Sequence, residues 1–145
     1  MPRSLRLLLS LFVLAVNVAP ALAQAEEEAA VRAAVDHYLQ GHATGEAAHF
    51  RAAFHPVANL YWVAGDTLAQ RTGEAYIAGA RGTPPPDEAR RRRWISDVDI
   101  AGTAAVARVV LDYPNAVFTD YLSLLKVNGE WKVVNKIFHV EPKQP

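Results

Sequence analysis

Four long β-like runs fill the chain from Arg90 to Glu141, and only Gly102-Thr103, Pro114-Asn115 and Asn128-Gly129 separate them. Asn128-Gly129 is the strongest of these turn signals, because a type I′ hairpin needs positive φ at both central residues. Pro114-Asn115 and Gly102-Thr103 carry weaker turn chemistry. Two-residue loops at all three set a register. Val127 then lies opposite Glu130, Leu124 opposite Val133, Leu122 opposite Asn135, Asp120 opposite Ile137 and Phe118 opposite His139. Further along, Leu111 meets Phe118, Val109 meets Asp120 and Trp94 meets Leu111. One face collects Trp94, Ser96, Val98, Ile100, Val109, Leu111, Phe118, Asp120, Leu122, Leu124, Trp131, Val133, Asn135, Ile137 and His139. The other takes Arg91, Arg93, Ile95, Asp97, Val106, Arg108, Val110, Asp112, Tyr121, Val134, Lys136 and Phe138. This register pairs Arg93 with Asp112 and Asp97 with Arg108, and opposite charges across strands favour a pairing. A slip of one residue would reverse every face.

The helical pattern lies ahead of these strands. Val31, Val35, Tyr38, Leu39 and His42 share a stripe of a helix expected over Ala25–Ala43, with Glu26, Glu27 and Glu28 at its start to complement the macrodipole. A second helix is expected over Glu46–Phe54, with Ala47, Phe50, Ala53 and Phe54 inward, and His55-Pro56 stops it. Leu60–Val63 reads as a strand, Gly65-Asp66 as a turn and Thr67–Arg71 as a return strand. Thr72 can cap a third helix over Gly73–Ala80 that buries Tyr76 and Ile77. Helices ahead of an antiparallel meander make an α+β layer arrangement, and a curved sheet with helices as its lid makes a cone with a hollow interior.

Met1–Ala23 is expected to stand outside this fold. Arg3 and Arg6 precede an apolar run over Leu7–Val18, and Ala21-Leu22-Ala23 supplies a small-residue cleavage pattern. That is a secretory leader, too short for a membrane span, and the protein is expected to be periplasmic or secreted, beginning at Gln24 and free of the membrane after cleavage. Residues 24–145 form one domain of 122 residues with 13 basic and 15 acidic side chains. Such a balance does not fit nucleic-acid binding. The absence of cysteine removes thiol catalysis, disulfides and cysteine metal sites.

Tyr38-Leu-Gln-Gly-His42, Phe54-His55-Pro56, Tyr76-Ile-Ala-Gly79 and Gly129–His139 together look like a bacterial family described as Putative lumazine-binding. It sits within the nuclear transport factor 2-like (NTF2-like, SnoaL-like) superfamily. The resemblance spans nearly all of residues 24–145. It implies a cone-shaped fold shared with ketosteroid isomerase and polyketide cyclases. It leaves the function open among isomerases, dehydratases, cyclases, hydrolases and binders without catalysis.

Asp120 is the leading candidate for chemistry. In this register it points into the apolar face, where desolvation favours a general base; the alternative is a structural acceptor for a tyrosine, histidine or arginine. His139 and Asn135 share that face, as a proton relay and a carbonyl-holding amide, or as edge-of-sheet hydrogen-bonding groups. His55 either caps a helix carbonyl or lines the mouth of the cone. Tyr38, Trp62, Trp94, Phe118 and Trp131 are candidate cavity walls, and core packing accounts for each equally well. No two histidines have metal-ligand spacing, and no metal or cofactor is expected. The run Arg90–Arg93 reads as a solvated strand start. The outer face, with Ile95, Val106, Val110, Thr119, Tyr121, Val134 and Phe138, is too apolar for free exposure and is expected to form a homodimer. The expected function is binding of a small apolar or aromatic molecule inside the cone. Proton-transfer catalysis through Asp120 with His139 or Tyr38, and a structural module with a filled cone, are the alternatives.

Overall fold

The computed structural model describes residues 18–144, with side chains from residue 21. Most of the expected leader lies outside the described residues; the described part, from Val18, runs directly into the first helix. Helix α1 spans Val18–Thr44, α2 Ala47–Ala53 and α3 Gly73–Ala78. The strands are β1 Phe54–Ala64, β2 Thr67–Thr72, β3 Arg92–Ala101, β4 Ala104–Asp112, β5 Ala116–Val127 and β6 Glu130–Pro142. They form one sheet in the order β2-β1-β6-β5-β4-β3, antiparallel except where β1 runs parallel to β6. Among the described residues no helix is long and apolar enough to cross a membrane.

The helices form where the periodicity places them. Val31, Val35 and Tyr38 on one stripe of α1 are fully buried. They meet Phe50 and Ala53 of α2 and the inward row Leu111, Leu122, Leu124 and Val133 of the sheet. Each such aliphatic burial stabilises by about 1.5–3 kcal/mol. Thr72 caps α3, its Oγ1 accepting from Ala75 N at 3.2 Å. Gly41 does not end α1. It lets the helix approach α2, since a Cβ there would lie 2.6 Å from the Phe50 ring. The helix begins upstream of the acidic cluster, so Glu27 is not in its first turn. Glu27 instead accepts from Lys126 Nζ at 2.5 Å and Trp131 Nε1 at 3.0 Å, fastening α1 to the sheet. His55-Pro56 ends α2, and the chain passes at once into β1 through a register irregularity that accommodates the proline.

The hairpins fall where the turns place them. Asn128 and Gly129 have φ of 52° and 82°, Val127 pairs with Glu130, Ala101 with Ala104, and Leu111 with Phe118. Two bulges then break the expected register. In β6, Leu124 pairs with Val133 but Ser123 with Asn135, so Val134 is the extra residue. In β3, Asp97 pairs with Arg108 but Ile95 with Val109, so Ser96 is extra. Each bulge exchanges the two faces beyond it. Lys136 and Phe138 therefore turn inward, while Asn135, Ile137 and His139 turn outward, opposite to the expected arrangement. Likewise Arg93 and Ile95 turn inward and Trp94 turns outward, 44% exposed. Asp97 keeps its partner Arg108, whereas Asp112 pairs with Arg92 in place of Arg93.

Candidate functional site

Three helix-and-strand positions converge behind the centre of the sheet. Tyr38 comes from the buried stripe of α1, Asp120 from the inward row of β5, and Lys136 from β6 just past its bulge. Tyr38 and Asp120 are wholly buried and Lys136 is 4% exposed. Tyr38 Oη donates to Asp120 Oδ2 at 2.5 Å, and Lys136 Nζ donates to Tyr38 Oη at 2.6 Å. Lys136 Nζ also lies 3.0 Å from Asp120 Oδ2. The second carboxylate oxygen, Oδ1, has no partner among the described residues. The rings of Tyr38, Tyr76 and Phe138 surround the ammonium at 4.7–5.6 Å from their centroids.

Lys136 links this triad to a cavity of about 190 Å³. Leu60, Trp62, Leu111, Phe118 and Phe138 supply its apolar walls, and Trp62 stacks on Phe138 at 5.4 Å. Its polar lining is His42, Tyr76, Tyr113, Lys136 and, at the exposed rim, Arg71. His42 Nε2 is bonded to Tyr76 Oη at 2.9 Å. A second ion pair braces the wall beside it. Arg93, turned inward by the Ser96 bulge, grips Glu88 at 2.5 and 2.7 Å. The same guanidinium donates to Tyr113 Oη at 3.1 Å and to the His42 carbonyl at 3.3 Å.

Burial dominates the titration of these groups. It lowers the Lys136 ammonium from its ordinary range, with Asp120 acting in the opposite direction. Burial, then the Asp120 carboxylate, pushes the Tyr38 phenol well up. Burial, then Lys136, Arg93 and Arg91, holds the His42 imidazole well below its usual value. The site thus presents a neutral imidazole, phenols that keep their protons, and an amine whose charge is costly.

Of the residues singled out in the sequence, Tyr38 and Asp120 belong to the triad, and Trp62 and Phe118 line the cavity. Asp120 is itself set back from the cavity lining. Trp94, Asn135 and His139 stand on the outer side because of the two bulges. His55 neither caps a carbonyl nor lines the cavity: its Nδ1 accepts from Val57 N at 3.3 Å. The sequence reading missed Lys136, Arg93, His42 and Phe138 as site residues. Its one available signal was the break in alternation at Val133-Val134-Asn135 and at Trp94-Ile95-Ser96, where two apolar residues stand side by side ahead of a polar one.

A lid of helices on a curved six-stranded sheet, with an aromatic-walled cavity between them, defines an NTF2-like α+β cone. The chain belongs to the family described as Putative lumazine-binding, whose model matches residues 26–139. It is similar to an NTF2-like protein of unknown function from Shewanella baltica OS155, at 31% identity and a TM-score of 0.73, covering 82% of this chain and 97% of that one. It is also similar to an NTF2-like protein of unknown function from Methylobacillus flagellatus KT, at 29% identity and a TM-score of 0.67, covering 80% and 93%. Among curated proteins it resembles Aldolase FrzH of Cladobotryum sp, 24% identical over 109 residues, 73% of this chain and 85% of the relative.

Proposed function

We infer that this chain is an exported domain that binds a small, largely apolar molecule, one aromatic ring in size, with an oxygen-bearing polar end. The cavity carries this reading. An apolar cavity of about 150 Å³ accepts a benzene-sized guest, and this one measures about 190 Å³. Its walls are aromatic, and its charged lining groups, Lys136 and Arg71, are cationic, with no carboxylate among them. A carbonyl or carboxylate oxygen on the guest complements that lining. The open volume weighs against a cone filled only by side chains.

Native mass spectrometry of the protein purified from the periplasm tests the reading directly. A co-purifying small molecule released on denaturation is the expected result, together with an N-terminus at Gln24. Protein that emerges empty and fails to bind any member of a panel of aromatic acids and ketones overturns it. The resemblance to a protein named an aldolase favours a second reading, an enzyme acting on a carbonyl compound by proton transfer, with Asp120 working through Tyr38 and Lys136. Turnover of a bound carbonyl compound, lost in Lys136→Met, separates the enzyme from the binder.

The reading includes a homodimer through the outer face of the sheet. Val106, Tyr121, Leu125 and Ile137 are 42–49% exposed there, and Tyr121 and Ile137 are cross-strand neighbours. Phe138 and Ile95, expected on that face, point inward and take no part in it.

A further inference from the structure

The side chain that connects the buried triad to the cavity is a primary amine, and its two hydrogen-bond partners form a route for its proton. We propose that Lys136 is a nucleophile that condenses with an aldehyde or ketone in the cavity to form an imine, with Tyr38 and Asp120 moving the protons. This rests on the binding reading above and adds the chemical class of the guest.

Three observations carry it. First, Lys136 lines the cavity although it is only 4% exposed, so a guest there meets the amine in surroundings that contain little water. A lysine in such surroundings gives up its proton far more readily than one on the surface, and only the neutral amine attacks a carbonyl. Second, the ammonium has two acceptors for that proton: Asp120 Oδ2 at 3.0 Å, and Tyr38 Oη at 2.6 Å, which itself donates to the same oxygen at 2.5 Å. Third, the aromatic rings of Trp62, Phe118 and Phe138 wall the cavity beside the amine and suit a flat carbonyl-bearing guest.

The protons balance within this set. The ammonium gives one proton to Asp120, directly or through Tyr38. The nitrogen lone pair then attacks the carbonyl carbon, the C=O π bond breaks, and one nitrogen proton passes to the new alkoxide through Tyr38 to give the carbinolamine. Asp120 returns its proton to the hydroxyl, the C–O bond breaks, and water leaves with the carbonyl oxygen. The product is a protonated imine paired with the Asp120 carboxylate, so the buried site holds the same net charge as at the start. The ion pair that the fold already tolerates is thereby kept.

The test uses benzaldehyde, with sodium cyanoborohydride to reduce any imine to a stable secondary amine at neutral pH, followed by intact mass and peptide mapping. Burial lowers the amine's pKa and so raises its neutral fraction over that of a surface lysine. Benzylation at Lys136 should therefore outrun that at the more exposed Lys126, Lys132 and Lys143, and benzyl alcohol, which has the ring but no carbonyl, should slow it. Labelling of those three lysines with Lys136 unmodified overturns the proposal. Saturation-transfer NMR with benzyl alcohol then tells the two failures apart. Binding without labelling removes the imine and leaves the binding reading standing, whereas the absence of both removes both.

Discussion

Tyr38, Asp120 and Lys136 make three close polar contacts, all but withdrawn from solvent, and the energetics of such a group are asymmetric. Removing one partner strands the opposite charge, which costs about 3–5 kcal/mol, whereas replacing both by apolar groups of similar volume is far milder. Lys136→Met should therefore lower stability by that amount in urea denaturation, and adding Asp120→Leu should recover much of the loss. A double variant that is destabilised by the sum of the two single changes would mean that the residues do not act as a pair. His42 makes a second prediction. Its folded pKa lies well below its unfolded value of about 6.5. Between those two values the unfolded chain binds a proton that the folded chain refuses, so the stability present above pH 6.5 is lost as the pH falls toward the folded pKa, by about 1.4 kcal/mol for each unit of separation. The melting temperature should fall as the pH is lowered from 6.5, and His42→Gln, which keeps a partner for Tyr76, should show a shallower fall over the same window. Parallel curves would place the protonation elsewhere.

At the scale of elements, the helix stripes, the Thr72 cap, the Asn128-Gly129 turn and the pairing of β4 with β5 were all legible in the sequence, because each rests on local periodicity or turn chemistry. The two bulges were not. A two-residue loop at each end fixes a register only if the strand between contains no extra residue, and Ser96 and Val134 are such residues. A bulge arises where the sheet must bend around its helices, a requirement set by the whole cone and not by the strand. The candidate site was accordingly half legible. Tyr38, Asp120, Trp62 and Phe118 lie on the near side of the irregularities or on other strands, while Lys136 and Arg93 lie beyond them. Gly41 offers a test of a different element contact. Alanine there gains about 1 kcal/mol of helix propensity, yet its methyl meets the Phe50 ring at 2.6 Å. Gly41→Ala should lower stability by about 1–3 kcal/mol through overpacking, and Phe50→Leu should relieve part of that in the double variant. A Gly41→Ala protein that melts higher than the wild type would show that α1 and α2 are free to move apart.

For the whole molecule, the outer face of the sheet and the cavity behind it are independent surfaces, and changes to one should leave the other intact. Ile137→Glu places a charge beside Tyr121 on the outer side, and light scattering should then report a monomer, while the unaltered protein should give the mass of a dimer. Ligand binding in the cavity should survive the change. An unchanged dimer mass would move the interface off this face. The same two-sidedness gives the Val134 bulge a meaning for descent. Along a strand, inside and outside alternate as odd and even, and a residue left unpaired in a bulge inverts the parity of all that follows in the sequence. In a relative whose last strand keeps all of these columns but pairs them without the bulge, the column that holds Asn135 here would look into the cone, and the column of Lys136 would look out. A lineage can thus exchange an amine for an amide in the interior by forming or losing a bulge, with no substitution at either position.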